Sequence, residues 1–189
     1  MVGEPAQRSD DVARYLADER DADLRHERWD GVAYAMVGAS WARNVITAHL
    51  AAILHRLGRA HGCTTVSQDM KVHVPGRNAF VYPDIVMVCE PPRFLDDVRD
   101  VLLNPAIVVE VLSHSTERFD RGEKATGYRS LPSIGALLLV SQHHARIECQ
   151  ARDADGSWRL REFECDAELT VPGLGGVVAL SEVFAGAWG

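Results

Sequence analysis

The chain has 189 residues, of which 47% are apolar, and its formal net charge is −7, from 20 Lys and Arg against 27 Asp and Glu. This length and apolar share suit one domain with a sizeable core. The acidic balance argues against a protein that coats nucleic acid through bulk electrostatics. No stretch has the length and apolarity of a membrane span, and the charged N-terminus lacks a secretory signal pattern, so we expect a cytoplasmic protein without a membrane partner.

The sequence contains four cysteines, at Cys63, Cys89, Cys149 and Cys165. They lie far apart, without a C-x-x-C pair and without a histidine at zinc-finger spacing. This spacing predicts neither a disulfide framework nor a structural zinc site, and favours reduced thiols.

The first elements in chain order are an arm, a hairpin and a helix. Residues 1–25 are rich in helix formers but have few apolar anchors, which predicts a loosely attached N-terminal arm before a main domain at residues 26–189. "RHERWDGVAYAMV" is typical of a hairpin that turns at Asp30-Gly31. "SWARNVITAHLAAILHRLGRAHG" predicts the first strong helix, with Ser40 as its cap.

Several strands and a second helix follow. "TTVSQDMKVHV", "FVYPDIVMVC", "AIVVEVLS" and "GALLLVSQ" have the composition of strands, and a helix is predicted to begin near Asp120. "ARIECQAR" and "SWRLREFEC" flank the turn sequence "DADG" and predict a hairpin. This order predicts a mixed α/β or α+β fold, in which one central mixed sheet is flanked by helices.

Two of the predicted strands carry a carboxylate, Asp84 in "YPDIVMV" and Glu110 in "AIVVEVLS". Side chains alternate along a strand, so Glu110 shares a face with Val108 and Leu112, and the opposite face is apolar as well. Apolar residues on both faces are typical of a central strand, where an unpaired carboxylate costs several kcal/mol. Each acid therefore needs a bound cation, a lysine or arginine partner, or backbone donors.

"FDRGEKATGYRSL" supplies a cationic partner. Its D-x-x-E spacing predicts a capping box with Asp120 as N-cap and Glu123 at the third helical position. Lys124 and Tyr128 then lie on the stripe that faces the sheet. A lysine near two carboxylates, with a space between the two, has the composition of a divalent-metal phosphodiesterase site, in which hard oxygen ligands select Mg²⁺ or Mn²⁺. The alternative is a structural ion pair without a function.

The same residues resemble a known family. "YPDIVMVCE" and "NPAIVVEVLSHSTERFDRGEKATGYRSLPSIGALLLVSQHHARIE" are similar to the Uma-two family of restriction endonuclease-like proteins, a branch of the PD-(D/E)XK nuclease superfamily. The resemblance implies a restriction endonuclease-like fold in which Asp84 and Glu110 bind Mg²⁺ or Mn²⁺. The usual E-x-K lysine is absent, because Leu112 stands at its position, and the resemblance moves that role to Lys124. Glu27 matches a further family glutamate near the metal.

The resemblance implies a metal-dependent endonuclease that hydrolyses DNA and works as a homodimer, since two sites are needed to cut two strands. The alternative is a catalytically weak or inactive member that serves as a nucleic-acid or protein interaction module. The acidic charge and the missing E-x-K lysine favour that alternative. Arg43 stands where many relatives carry a histidine, and it has the chemistry to contact a phosphate.

Overall fold

In the computed structural model of the chain, the described residues are 5–36, 38–114 and 116–188. The helices are α1 (Pro5–Asp21), α2 (Trp41–Arg59), α3 (Glu117–Phe119), α4 (Ala125–Arg129) and α5 (Leu180–Val183). A 3₁₀ turn spans Pro75–Arg77, and a π-helical turn, Asp120–Lys124, joins α3 to α4. Within the described ranges, no helix has the length and apolarity needed to cross a bilayer.

Within the described residues, thirteen strands form two mixed sheets and a short ribbon. The strands are β1 (His26–Trp29), β2 (Val32–Ala35), β3 (Thr64–Ser67), β4 (Lys71–Val74), β5 (Ala79–Val81), β6 (Ile85–Val88), β7 (Val101–Leu102), β8 (Ile107–Leu112), β9 (Ala136–Ser141), β10 (Arg146–Arg152), β11 (Trp158–Glu164), β12 (Glu168–Thr170) and β13 (Val177–Ala179). The central six-stranded sheet has the order β11-β10-β9-β8-β6-β3, and a five-stranded sheet has the order β2-β1-β5-β4-β7. The mixed α+β fold is confirmed, while the second sheet was not predicted.

The central sheet is covered on both faces. Helix α2 packs on one face, where the core contains Ile46 and Leu50 from the helix and Val109 from β8. The opposite face packs against the five-stranded sheet and the helical segment 117–129, and that core includes Val108 and Tyr128. The alternation predicted for β8 is therefore confirmed, and this strand lies in the middle of the molecule.

Helix α2 forms as its sequence predicts. Its apolar positions recur at the helical period, and the buried ones include Ile46, Leu50, Ile53 and Leu54. The hydroxyl of Ser40 accepts a hydrogen bond from the backbone N–H of Arg43 at 3.1 Å, which satisfies one of the free donors in the first turn.

The N-terminal segment contributes helix α1. Tyr15 and Leu16 are buried in a small cluster with Phe80 and Val101 of the five-stranded sheet, and the Tyr15 hydroxyl donates to the carbonyl of His26 at 2.6 Å. The helix is thus anchored by more apolar contact than its sequence predicts, although the division into an arm and a domain at residue 25 stays a prediction.

The expectation of reduced thiols is wrong for one pair, because Cys63 and Cys89 form a disulfide. Strands β3 and β6 are antiparallel, with Thr64 paired to Val88. The cysteine before one strand therefore lies opposite the cysteine after the other. Sequence spacing did not reveal this contact, because it depends on the register between two strands 26 residues apart.

Candidate active site

The strands and the helical segment meet around one recess, with a cavity volume of about 640 Å³. Its walls come from β1, β2, the start of α2, the end of β8 and the helical segment 117–129. We call this cavity the recess. The residues that line it include the predicted site residues Glu27, Glu110 and Lys124, together with Arg43 and Asp120.

Glu110 and Lys124 form the buried centre of the site. They are 2% and 3% exposed, and the Lys124 ammonium lies 3.0 Å from Glu110 Oε1. The hydroxyl of Tyr128 donates to the same oxygen at 2.6 Å. The expectation that Lys124 points inward is confirmed, because the helix turns its 124 and 128 positions toward the sheet as the periodicity predicts.

Two further carboxylates surround the ammonium of Lys124. It donates to Glu27 Oε1 at 2.8 Å and lies 3.8 Å from Asp120 Oδ1. Glu27 Oε1 also accepts from the backbone N–H of Tyr82 at 2.8 Å, which fixes the carboxyl at the start of the segment "YPDIVMV". Three carboxyl groups thus surround one buried cation, so the cluster carries excess negative charge when all three are ionised.

Asp84 is held by a different cation. Arg43 Nε and Nη2 donate to its Oδ1 and Oδ2, both at 2.9 Å, and the backbone N–H of Val111 donates to Oδ2 at 2.8 Å. The second bond brings the Asp84 carboxyl next to the residue that follows Glu110. Because bidentate arginine–carboxylate pairs are strong and directional, Arg43 orients Asp84 and neutralises it.

Burial and charge shift the pKa values in opposite directions within the cluster. Burial raises the pKa of Glu110 to about 8, although the Lys124 ammonium lowers it. Burial lowers the pKa of Lys124, but the carboxylates of Glu110, Glu27 and Asp120 outweigh it and hold that pKa above its ordinary value. Burial also raises the pKa of Asp120. The cluster therefore favours an additional positive charge.

The predicted capping box at Asp120 is wrong. The helix already begins at Glu117, where the carbonyl of Ser113 accepts from the Glu117 N–H at 2.9 Å and its hydroxyl accepts from the Thr116 N–H at 3.2 Å. Asp120 instead lies in the π-helical turn, where its side chain is buried. Its carboxylate therefore joins the Lys124 cluster rather than capping a helix end.

Sequence reasoning singled out Asp84, Glu110, Lys124 and Glu27, and their roles stay predictions. The pairing of Arg43 with Asp84 was not predicted, and neither was the position of Asp120 beside Lys124. Asp120 could have been found, since it precedes Lys124 by one helical turn on the same stripe. In the described ranges, no group of three or more His, Cys, Asp or Glu is arranged to hold a metal ion.

The chain resembles a solved structure and two curated proteins. The structure, titled as "a putative nuclease belonging to DUF820" from Anabaena variabilis, superposes with a TM-score of 0.75 at 11% identity and covers 94% of this chain and 98% of the other. This likeness shows the restriction endonuclease-like fold.

The curated relatives are two uncharacterized proteins of Synechocystis sp. Protein sll1609 is 32% identical over 153 residues, which cover 80% of this chain and 86% of the relative. Protein slr1290 is 29% identical over 172 residues, which cover 91% of this chain and 90% of the relative. The model of the Uma2 family, described as "Putative restriction endonuclease", matches residues 11–182. The chain therefore belongs to the Uma2 family of restriction endonuclease-like proteins, as its motifs predicted.

Proposed function

We propose that the protein is a metal-dependent endonuclease that hydrolyses DNA phosphodiester bonds in the recess. One observation carries the proposal: a buried lysine, Lys124, lies 2.8 to 3.0 Å from two acids of the predicted motifs, Glu27 and Glu110. Burial makes an excess of carboxylates unfavourable without a further cation. Membership of a restriction endonuclease-like family supports a nuclease.

The donor chemistry of the site fits Mg²⁺ or Mn²⁺. Both are hard cations that prefer carboxylate and carbonyl oxygens, and Mg²⁺ commonly takes only one or two protein carboxylates and keeps several waters. Asp84 and Glu110 are the residues proposed to hold it, with the carbonyl of Val111 as a further oxygen. When bound, the ion would polarise the phosphate and lower the pKa of a bound water.

The remaining residues position these groups. Lys124 is the cation aimed at the reacting phosphate, where it stabilises developing negative charge or orients a water. Glu27 holds its ammonium from one side, and Tyr128 fixes Glu110 from the other. Asp120 adds negative charge within one turn of the lysine. Their buried hydrogen bonds keep the site rigid before substrate binds.

A second candidate function is the weak or inactive interaction module. The Arg43–Asp84 pair favours it, because both carboxylate oxygens of the proposed metal ligand are occupied by a guanidinium. Oδ2 also accepts from the Val111 N–H, so a metal has to share Oδ1 with the guanidinium, displace Arg43, or bind without Asp84. In the module, Asp84 and Glu110 are permanent partners of arginine and lysine.

Calorimetry with Mn²⁺ and plasmid cleavage with Mg²⁺ separate the two functions. If the protein is a nuclease, the wild type binds Mn²⁺, whereas the Asp84→Asn and Glu110→Gln variants do not. The Lys124→Met variant still binds Mn²⁺ but does not cleave the plasmid. Exposed Arg159→Met, which removes a surface pair with Asp153, is the control. Nucleic-acid binding without metal binding or cleavage would establish the module instead.

We further propose that the active form is a homodimer, as the family resemblance implies, so that two recesses act on one nucleic acid. Analytical ultracentrifugation of the wild type, with and without duplex DNA, tests this assembly. A monomer in both conditions that still cuts both strands would contradict it.

A further inference from the structure

One wall of the recess is apolar and partly exposed, with Trp29 buried at its base. In the β1–β2 hairpin, Glu27 pairs with Tyr34 and Trp29 pairs with Val32, so the four side chains lie on one face of the ribbon. All four line the recess. Val32 and Tyr34 remain 53% and 57% exposed. We call Trp29, Val32 and Tyr34 the hairpin wall, and it lies directly beside the acid that holds Lys124.

The charges around the recess are unsuited to gripping the backbone of a duplex. Among the described lining residues, the cationic side chains are Arg43 and Lys124, and both are bonded to carboxylates. Acids line the same cavity at Glu27, Asp30, Glu110, Asp120 and Glu123. Duplex-binding proteins obtain most of their affinity by neutralising phosphates with lysine and arginine. The recess therefore lacks the free cations that duplex binding uses, whereas the exposed Tyr34 offers base stacking as a source of affinity.

The shape of the recess leads to the same conclusion. Sequence readers of duplex DNA insert a projecting helix or ribbon into the major groove, whereas this site is concave. Its volume of about 640 Å³ falls within the range of roughly 300–1,000 Å³ that holds small molecules. A concave pocket beside a reacting centre admits a group that projects from the nucleic acid, such as an unstacked base.

We propose that the recess binds an unpaired nucleotide, with its base stacked on Tyr34 and its phosphate directed at the Lys124 side chain. The substrate class is then single-stranded or locally unpaired nucleic acid. Tyr34 lies directly across the hairpin from Glu27, a residue of the proposed active site. The inference therefore rests on the proposed nuclease function. Aromatic stacking of this kind tolerates any base, since every base has a π-face.

The test compares an oligodeoxythymidine with a duplex of the same length, both labelled with fluorescein, by anisotropy in Ca²⁺. The wild type should bind the single strand more tightly than the duplex. Tyr34→Ala should weaken single-strand binding by about 5- to 150-fold, which is the range for losing one stacked base. Tyr34→Phe keeps the ring and should restore the affinity. Leu24→Ala removes another exposed apolar side chain, 63% exposed and away from the recess, and should leave it unchanged.

A strand that carries 2-aminopurine gives a second readout. Stacking should quench its fluorescence in the wild type and in Tyr34→Phe but not in Tyr34→Ala. Equal affinity for duplex and single strand, or a Tyr34→Ala variant that binds like Leu24→Ala, would overturn the inference and leave the nuclease proposal intact. A wild type that binds neither the single strand nor the duplex would overturn both this inference and the nuclease proposal. A second copy of the chain on the hairpin wall would appear instead as a dimer that Tyr34→Ala dissociates, with unchanged affinity for the strand.

Discussion

Replacing Lys124 with methionine removes the cation around which the buried acids are arranged. The ammonium lies 2.8 Å from Glu27, 3.0 Å from Glu110 and 3.8 Å from Asp120. Methionine is apolar and similar in length, so it fills the space but leaves the carboxylates without their counter-charge. Breaking a buried ion pair by removing one partner costs about 3–5 kcal/mol.

The free energy of unfolding of Lys124→Met should therefore fall by about 3–5 kcal/mol. For a domain of this size each kcal/mol shifts the melting temperature by about 2–4 °C, so the shift should be roughly 6–20 °C. Urea unfolding followed by tryptophan fluorescence measures the loss. Arg159→Met is the matched control, because its exposed pair with Asp153 should contribute at most about 1 kcal/mol.

The double variant Lys124→Met/Glu110→Gln tests the reason for the loss. Glutamine keeps the shape of Glu110 and its hydrogen bond from Tyr128 but has no charge to leave unpaired. The double variant should lose less than the sum of the two single variants, with a coupling of about 1–3 kcal/mol. If Lys124→Met is no less stable than Arg159→Met, or the two losses simply add, the charge-balance argument is refuted.

Three further predictions concern the acids and the disulfide. Arg43→Gln should free Asp84 and tighten Mn²⁺ binding at least about tenfold, because hydrogen bonds to charged groups contribute about 1.5–3 kcal/mol; unchanged affinity in calorimetry would show that the guanidinium does not compete. Burial raises the pKa of Glu110 to about 8 from 4.5, so wild-type stability should fall by up to about 1.4 kcal/mol per pH unit as the pH rises through that window. The Glu110→Gln variant has no such group, so its free energy of unfolding in urea should rise relative to that of the wild type from about pH 5 to pH 8. A difference between the two proteins that stays constant with pH would contradict the raised pKa. Reduction of Cys63–Cys89, which are 26 residues apart, should lower the free energy of unfolding by about 3.5 kcal/mol, and equal urea midpoints with and without dithiothreitol would contradict this.

The sequence predicted those features that follow from local periodicity. Alternation along β8 gave the face of Glu110, and the helical period gave the inward direction of Lys124 and Tyr128. The hairpin turn at Asp30-Gly31 was predicted from its residue types, and both residues adopt positive φ, 48° and 85°. Each of these depends on residues within a few positions of one another, where backbone geometry alone decides direction.

Contacts between distant elements were not predictable in the same way. The Cys63–Cys89 bond depends on the register of β3 against β6, and the second sheet depends on pairings between strands that are separated in sequence. Local rules also missed the helix start at Glu117, because Asp120 satisfied a capping pattern although the preceding turn was already helical. A capping pattern therefore predicts only a local preference for a helix start. Packing against the rest of the fold can override that preference, as it does at Asp120.

The pairing of Arg43 with Asp84 matters most for function, and it is non-local as well, since it joins residues 41 positions apart. Glu110 lies in β8 as predicted, whereas Asp84 lies in the bend before β6 rather than inside a strand. Two such acids indicate a site that needs positive charge, but they do not specify whether that charge is a metal ion or a side chain. Lys124 supplies one charge to the Glu110 side of the cluster, and Arg43 supplies another to the Asp84 side. Under the proposed nuclease function, metal binding at Asp84 thus depends on how strongly Arg43 competes for its oxygens, and the Arg43→Gln variant measures that competition.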